Sequence, residues 1–194
     1  MNTEGEYGGW AYLSDLDIAS PNWIEGRDYT AIEPERFRRV LASLDIAWDQ
    51  YTFVDLGSGK GRALLLASEF PFKRIAGLEF SPELHRIAEA NIGLYRSESQ
   101  KCRDIESMNL DFVDFTLPNE PLVLFFFDPC RGSALEKAVR RIAQSLRTNS
   151  YPVYAAYVAP SEDVERLFAA CGCLQERFRD TEWDFVIYER VLSE

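Results

Sequence analysis

The acidic residues that could bind a polar ligand stand at the ends of apolar stretches of the sequence. They are Asp55, Glu79, Asp111 and Asp128. An ionised carboxylate accepts hydrogen bonds from hydroxyl groups and amines, and it pairs with cations. These four positions therefore predict a ligand that carries hydroxyl, amino or ammonium groups, provided that the fold brings the stretches side by side.

A glycine-rich turn, DLGSGKG, begins at the first of these acids and covers residues 55–61. Without a Cβ atom, Gly57 and Gly59 can adopt positive φ and let backbone N–H groups approach a ligand closely. A phosphate-binding P-loop is excluded, because glycine rather than serine or threonine follows Lys60. The dinucleotide spacing GxGxxG also fails, because Arg62 takes the place of its third glycine. A pyrophosphate ligand is therefore not favoured.

The position of each acidic residue indicates which chemical group of the ligand it would bind. Asp55, beside the turn, repels phosphate and favours an ammonium group. Glu79 ends the second strand-like stretch, where an acid can accept the two hydroxyls of a ribose. Asp111 can accept an exocyclic amine, and Phe112 beside it can stack on a purine. The residues thus predict a ligand with a ribose, an adenine and a cationic, amino-acid-like portion.

The elements that must position these acids alternate between strand and helix. A helix is predicted from residue 33, with Pro34 in its first turn, and Ser81 with Pro82 is typical of a second helix start. The predicted strands cover 51–56, 74–80, 105–110, 121–129, 152–158, 174–179 and 183–191, and the helices between them cover 62–69, 81–93, 133–146 and 161–172.

This alternation predicts an α/β fold with a doubly wound, Rossmann-like, mostly parallel seven-stranded sheet and an antiparallel C-terminal strand. The nearly continuous apolar run within residues 121–129 indicates a strand that is buried on both faces. Ligands bind beyond the carboxyl ends of the strands in such sheets. We therefore expect the four acids to meet at one edge of the sheet.

The first 30 residues show neither strand nor helix periodicity and contain several large rings. Those rings are Trp10, Tyr12, Trp23 and Tyr29. They are too many for a free tail, so we expect them to pack on the body, either as a cover over the site or as a plug at an exposed core edge. The predicted division is a lid over residues 1–30 and a Rossmann-like domain over residues 31–194.

The composition is that of a globular protein, with 46% hydrophobic and 27% charged residues, and it narrows the range of partners. No apolar run approaches the roughly 20 residues that a membrane helix needs. A net charge of −11 and a basic cluster that is confined to residues 36–39 argue against a nucleic-acid substrate. The four cysteines and one histidine lack zinc spacing, so no metal is expected. Without a secretion signal, the predicted location is cytoplasmic.

Four motifs in this order resemble those of the class I S-adenosylmethionine-dependent methyltransferases. They are VDLGSGKG at 54–61, GLEFSP at 77–82, LDF at 110–112 and FFFDPC at 125–130. The sequence is similar, more narrowly, to a group of small bacterial methyltransferases of mostly unassigned substrate. The resemblance implies that S-adenosylmethionine is the cofactor. The residues that would bind it are Asp55, Gly57, Ser58, Gly59, Glu79, Phe80, Asp111, Phe112 and Asp128.

The resemblance also assigns roles within this set. Asp55, Gly57 and Gly59 would hold the methionine end of the cofactor. Glu79 would hold the ribose, and Asp111 with Phe112 would hold the adenine.

Asp128 and Pro129 resemble the start of the motif (D/N)PP(Y/F) of amino-methyltransferases, in which the first side chain and a proline carbonyl accept hydrogen bonds from the target amine. Cys130 and Arg131 depart from that motif. Asp128 is therefore a candidate catalytic residue, or alternatively a cap of the following helix. Tyr29 is the second catalytic candidate.

The activity that these residues imply is N- or O-methylation of a small molecule, a peptide or a protein. Two alternatives stay open. One is a catalytically inactive module that binds S-adenosylmethionine. The other is a related nucleoside-dependent transferase, such as an aminopropyl transferase, which shares the glycine turn.

Overall fold

The structure is a computed structural model that describes residues 9–148 and 150–191. It contains a two-stranded sheet near the N-terminus and a seven-stranded sheet. The small sheet consists of β1 (Trp10–Ala11) and β2 (Tyr29–Thr30). The strands of the large sheet are β3 (Thr52–Leu56), β4 (Arg74–Glu79), β5 (Ile105–Asn109), β6 (Leu122–Phe127), β7 (Val153–Val158), β8 (Leu174–Asp180) and β9 (Phe185–Arg190).

The strand order in the large sheet is β5-β4-β3-β6-β7-β9-β8. Neighbours from β5 through β7 pair in parallel, whereas β9 runs antiparallel to both β7 and β8. The predicted mostly parallel seven-stranded sheet with an antiparallel C-terminal strand is confirmed. Because the strand order changes direction between β3 and β6, the carboxyl ends of these two strands border the position where such sheets bind ligands.

The described residues form five α-helices that alternate with the strands. They are α1 (Pro34–Ala42), α2 (Arg62–Ala67), α3 (Pro82–Leu94), α4 (Gly132–Thr148) and α5 (Glu162–Ala170). Serine side chains cap two of them: Ser81 accepts from the N–H of Leu84 in α3, and Ser161 accepts from that of Val164 in α5. No helix within the described ranges is long and apolar enough to cross a bilayer.

Strand β6 is buried on both faces of the sheet, as its apolar run predicts. Phe125 packs against Phe37 of α1, with ring centroids 5.1 Å apart. Phe126 packs on the opposite face against Phe168 of α5, with centroids 5.8 Å apart. Because burying a phenylalanine side chain stabilises a fold by about 1.5–3 kcal/mol, these contacts fix the strand that ends next to Asp128.

The N-terminal segment, which we define as residues 9–30, packs differently from the prediction. Tyr29 is buried, but Trp10, Tyr12 and Trp23 are 71%, 58% and 41% exposed. The expectation that all four rings pack on the body is therefore wrong for Trp10 and Tyr12, which are mostly exposed, whereas Trp23 is partly covered. Successive residues of a strand point to opposite faces, so the short β1–β2 sheet places Tyr29 on its inner face and Trp10 on its outer face.

Candidate functional site

The carboxyl edge of the large sheet borders a cavity that the N-terminal segment covers in part. All four acids predicted from the sequence line this cavity: Asp55 from β3, Glu79 from β4, Asp111 after β5 and Asp128 after β6. The sheet topology therefore brings them to one site. The other predicted site residues line the same cavity, and they are Tyr29, Gly57, Ser58, Gly59, Phe80 and Phe112.

The glycine turn is hydrogen-bonded to strand β4 rather than left open. The N–H groups of Gly57 and Ser58 both donate to the carbonyl of Leu78 at 3.0 Å. The N–H group of Gly59 donates to the Glu79 carboxylate at 2.8 Å. These three N–H groups do not face the cavity as free donors. The turn contributes to the site mainly by its shape and by the position that it gives to Glu79.

Two contacts explain why side chains are absent from this turn. Gly57 and Gly59 have φ of +97° and +53°, a region that favours glycine. A Cβ atom on Gly59 would lie 2.2 Å from the ring of Tyr29, and one on Gly57 would lie 2.8 Å from Pro129. The glycines therefore let the N-terminal segment and the chain after β6 approach the turn. Ser58 packs under β4, where a Cβ atom on Gly77 would lie 2.7 Å from its hydroxyl.

Glu79 is buried, with 3% exposure, and both of its carboxylate oxygens accept backbone hydrogen bonds. The donors are the N–H groups of Gly59 and Ser81, each at 2.8 Å. Burial raises the pKa of Glu79 to about 7, although these two hydrogen bonds act in the opposite direction. Each oxygen keeps acceptor capacity beyond its one backbone donor, so the carboxylate can accept two further hydroxyl groups from the cavity.

Asp55 has the same burial as Glu79 but no such support. Its exposure is 3%, and within residues 9–148 and 150–191 no group donates a hydrogen bond to its carboxylate. Burial, followed by the negative charge of Glu79, raises the pKa of Asp55 to about 8. A buried carboxylate without a partner is unfavourable when ionised, so this residue favours either a proton or a cationic ligand.

Asp111 binds the N-terminal segment. Its Oδ2 atom accepts from the hydroxyl of Ser20 at 2.5 Å and from the amide of Asn22 at 2.8 Å. Its Oδ1 atom accepts from the N–H of Val113 at 3.1 Å and caps a short 3-10 turn that begins at Phe112. Asp111 therefore lies at the cavity as predicted, but residues of the N-terminal segment already donate to the carboxylate that would accept an exocyclic amine.

Asp128 is also paired with the N-terminal segment. Its Oδ2 atom accepts from Nε and Nη2 of Arg27 at 2.9 and 2.8 Å, and Arg131 lies 3.9 Å away. The backbone N–H of Arg27 donates to the carbonyl of Pro129 at 3.2 Å. Arg27 thus engages both acceptors that the resemblance assigns to a target amine. Asp128 has φ of +41°, a conformation that is uncommon outside glycine but that aspartate adopts more often than most other residues.

The alternative prediction that Asp128 caps helix α4 is wrong, because Glu25 caps this helix. The Glu25 carboxylate accepts from the N–H of Ala134 at 2.6 Å and from the hydroxyl of Ser133 at 3.0 Å. These bonds, with the one from Ala134 foremost, lower the pKa of Glu25. The start of α4 is therefore capped from the N-terminal segment, which leaves Asp128 at the cavity.

Tyr29 lies on the glycine turn, with the ammonium group of Lys60 5.3 Å from its ring centroid. Burial raises the pKa of the Tyr29 phenol above its usual range. The hydroxyl therefore stays protonated near neutral pH, where it can act as a hydrogen-bond donor but not as a base. Two tyrosines of β7, Tyr154 and Tyr157, do not line this cavity, and Tyr157 is fully buried and stacked on Phe126.

Asn22, Arg27 and Arg62 are among the cavity residues that were not predicted from the sequence. Asn22 and Arg27 lie in the irregular N-terminal segment, where no periodicity indicates which side chains face inward. Arg62 is different, because it is the first residue of α2 and directly follows the glycine turn. Its place at the carboxyl edge was a signal that could have identified it.

No protein-family model matches the sequence, and the search of curated proteins finds no match. Solved structures do share the fold. The methyltransferase domain of bacterial CtHen1-C has a TM-score of 0.60 at 15% identity, over 83% of this chain and 98% of that chain. The 23S rRNA methyltransferase ErmE has a TM-score of 0.57 at 13% identity, over 82% and 69%.

Geranyl diphosphate methyltransferase in complex with SAM has a TM-score of 0.55 at 12% identity, over 82% of this chain and 86% of that chain. This chain spans only 52% of the StiE O-MT structure, to which it is 16% identical. Likeness at this level of identity concerns architecture rather than substrate. The chain has the fold of the class I S-adenosylmethionine-dependent methyltransferases.

Proposed function

We propose that this protein is an S-adenosylmethionine-dependent methyltransferase that methylates a nitrogen or oxygen atom of a small molecule, a peptide or a protein. The observation that carries the proposal is the Asp55 carboxylate, which lines the cavity, is 3% exposed and receives no hydrogen bond from the described residues. A cation would stabilise the ionised form of such a buried carboxylate. The amino-acid end of S-adenosylmethionine carries an ammonium group.

The neighbouring residues fit the rest of the cofactor. Glu79 would accept the two ribose hydroxyls with the acceptor capacity that Gly59 and Ser81 leave free. Phe80 and Phe112 line the cavity beside it and offer aromatic surfaces for the adenine. Asp111 would accept the adenine amine after Ser20 or Asn22 releases it.

The cofactor supplies the methyl group on a positively charged sulfur atom. The protein would have to align the acceptor and exclude water. The N-terminal segment suits the second task, and we propose that residues 1–30 act as a lid on a domain formed by residues 31–194. Asp128 and the Pro129 carbonyl would orient an acceptor N–H or O–H group, which requires that Arg27 move away from them. Tyr29 would donate a hydrogen bond within the closed site.

The test of cofactor binding is calorimetric titration with S-adenosylhomocysteine, which lacks the transferred methyl group. Glu79→Gln should weaken binding by about 1.5–3 kcal/mol, because a hydrogen bond to a charged group is lost. The matched control is Glu98→Gln, at an exposed residue that does not line the cavity. Equal affinity of both variants and the unchanged protein would contradict the proposal.

A second candidate function is a binding module without turnover. The observation that favours it is Arg27, which donates to Oδ2 of Asp128 and to the Pro129 carbonyl, the two groups that would orient an acceptor. Incubation with labelled S-adenosylmethionine and a panel of amines, hydroxyl compounds and peptides separates the two. Methyl transfer to any acceptor rejects the module, and binding without transfer favours it.

We propose no nucleic-acid acceptor, although the fold is shared with a 23S rRNA methyltransferase. The net charge of −11 would repel a phosphate backbone. A salt-sensitive complex with RNA tighter than about 1 μM near physiological salt would contradict this, because ordinary non-specific binding is weaker. A cytoplasmic location stays a prediction.

A further inference from the structure

Arg62 stands out among the arginines of the described chain because it lines the cavity without a partner. It is partly buried, and within residues 9–148 and 150–191 its guanidinium makes no hydrogen bond and no ion pair. The other arginines of intermediate burial in this part of the chain are Arg36 and Arg190, and both donate to backbone carbonyls. A guanidinium held in a cavity with five unused donors favours an anionic ligand.

The position of Arg62 relates it to Asp55. Asp55 is in β3, directly before the glycine turn, and Arg62 is the first residue of α2, directly after it. One side of the turn therefore offers an unpaired carboxylate and the other offers an unpaired guanidinium to the same cavity. An α-amino acid carries the complementary pair, an ammonium group and a carboxylate on one carbon atom.

We infer that Arg62 binds the α-carboxylate of the ligand whose α-ammonium group pairs with Asp55. This inference rests on the proposed function, since it assigns a residue to the methionine moiety of S-adenosylmethionine. Arg62 then determines which sulfonium compound the site accepts. A guanidinium forms two parallel hydrogen bonds with a carboxylate, and these bonds are lost with a cofactor that lacks the carboxylate.

The inference separates methyl transfer from the aminopropyl-transfer alternative. Decarboxylated S-adenosylmethionine carries the ammonium group but not the carboxylate, so it would satisfy Asp55 and leave Arg62 unpaired in the cavity. An unpaired charged donor loses its water without gaining a bond. A site with Arg62 in this place therefore favours the complete amino acid and disfavours an aminopropyl donor.

The experiment compares two ligands that differ only in the carboxylate: S-adenosylhomocysteine and its decarboxylated form, S-adenosyl-3-thiopropylamine. Their affinities are measured by calorimetry for the unchanged protein, Arg62→Ala and Arg62→Lys. The control is Arg86→Ala, which removes an exposed arginine of α3 whose one hydrogen-bond partner among the described residues is the carbonyl of Pro82. Thermal unfolding of each variant confirms that it is folded.

The unchanged protein and the Arg86→Ala control should prefer S-adenosylhomocysteine by about 10- to 100-fold, the range for hydrogen bonds to a charged group. Arg62→Ala should remove this preference by weakening S-adenosylhomocysteine alone, and Arg62→Lys should keep part of it. If Arg62→Ala weakens both ligands equally, or if the unchanged protein binds both equally, Arg62 does not bind the carboxylate. If neither ligand binds the unchanged protein, the proposed function itself fails.

Discussion

The cavity has two halves that use the same type of residue in opposite ways. At the strand ends, Asp55 receives no hydrogen bond from the described chain, and Glu79 receives two from backbone N–H groups. Beneath the N-terminal segment, side chains of residues 20–27 donate to Asp111 and Asp128, and Asp111 also accepts from the backbone N–H of Val113. In the first half, the buried Asp55 carboxylate lacks a partner among the described residues. In the second half, both carboxylates already accept hydrogen bonds from the protein.

This difference indicates that the two halves have separate tasks. The strand-end half contains a buried carboxylate, that of Asp55, without a hydrogen-bond donor from the described chain. This half should therefore determine which ligand binds and how tightly. The half beneath the N-terminal segment is already paired, so it should determine whether the cavity is covered and whether an acceptor can reach it. Substitutions in the first half should change affinity for the cofactor, and those in the second should change turnover or closure.

The largest effect should come from Gly59, where the two halves meet. Gly59→Val places a branched side chain at φ of +53° and within 2.2 Å of the Tyr29 ring. We expect a loss of more than about 2 kcal/mol in the free energy of unfolding and no measurable binding of S-adenosylhomocysteine. Urea denaturation and calorimetry measure the two quantities.

The control for this substitution is Gly93→Ala in α3, where an added Cβ atom has nothing within 4 Å. Alanine should stabilise the helix there by about 0.5–1 kcal/mol and leave ligand affinity unchanged. A Gly59→Val variant as stable as this control would show that Tyr29 does not pack on the turn.

Asp128 should give the next largest effect, and it should fall on turnover. With an acceptor identified, Asp128→Ala should lower kcat about 100-fold or more, because an aligned acceptor or base is lost. Affinity for S-adenosylhomocysteine should change little. Asp128→Asn should be milder for an amine, which needs only an acceptor, and severe for a hydroxyl, which needs a base. Loss of cofactor affinity in parallel with kcat would instead place Asp128 in the cofactor half.

The pH dependence of the free energy of unfolding should reflect the burial of the two carboxyl groups in the first half, Asp55 and Glu79. The pKa values of Asp55 and Glu79 in the folded protein are about 8 and about 7, above their ordinary values of 3.8 and 4.5. Between about pH 4 and pH 8 the folded state therefore binds more protons than the unfolded state. The free energy of unfolding should fall as pH rises through this window, as urea denaturation at several pH values would measure.

Asp55→Asn tests the source of this slope. Asparagine has the shape of aspartate without its charge, so the slope should become shallower while the fold is retained. Asp49→Asn, at an exposed aspartate, should leave the slope unchanged. A slope that is the same in all three proteins would show that the Asp55 carboxylate is ionised without cost.

The smallest effect should come from Arg27. Its ion pair with Asp128 is partly exposed, with 42% and 20% of the two side chains accessible, so Arg27→Ala should cost less than about 1 kcal/mol. The N-terminal segment should become more sensitive to limited proteolysis, since one of its attachments is lost. Arg166→Ala breaks an exposed pair with Asp163 and should leave that sensitivity unchanged. Equal sensitivity of both variants would mean that Arg27 does not hold the segment down.

The sequence predicted the strand-end half well, because local patterns determine it. Apolar periodicity identifies β3 and β4, the glycines identify the turn between strand and helix, and strand topology then places Asp55 and Glu79 at one edge. These are short-range signals combined with general rules of parallel sheets. Even so, no local pattern indicates that Glu79 accepts the N–H of Gly59.

The half beneath the N-terminal segment could not be predicted in the same way. Ser20, Asn22 and Arg27 lie in a segment without periodicity, and their partners stand far away in the sequence. The exposure of Trp10 was also missed, because which face of a two-residue strand turns inward depends on tertiary contacts rather than on composition. Pairing between an irregular segment and distant strand ends follows only from the folded structure.

The central claim is that the buried Asp55 carboxylate pairs, within the cavity, with the ammonium group of a nucleoside that carries an amino acid. Calorimetric titration of S-adenosylhomocysteine at pH 7, in buffers of different ionisation enthalpy, tests it most directly. Because the pKa of Asp55 is about 8 in the free protein, pairing with an ammonium group should release about one proton on binding. Asp55→Asn should release markedly less. Binding heats that do not depend on the buffer, or equal proton release by the two proteins, would contradict the account.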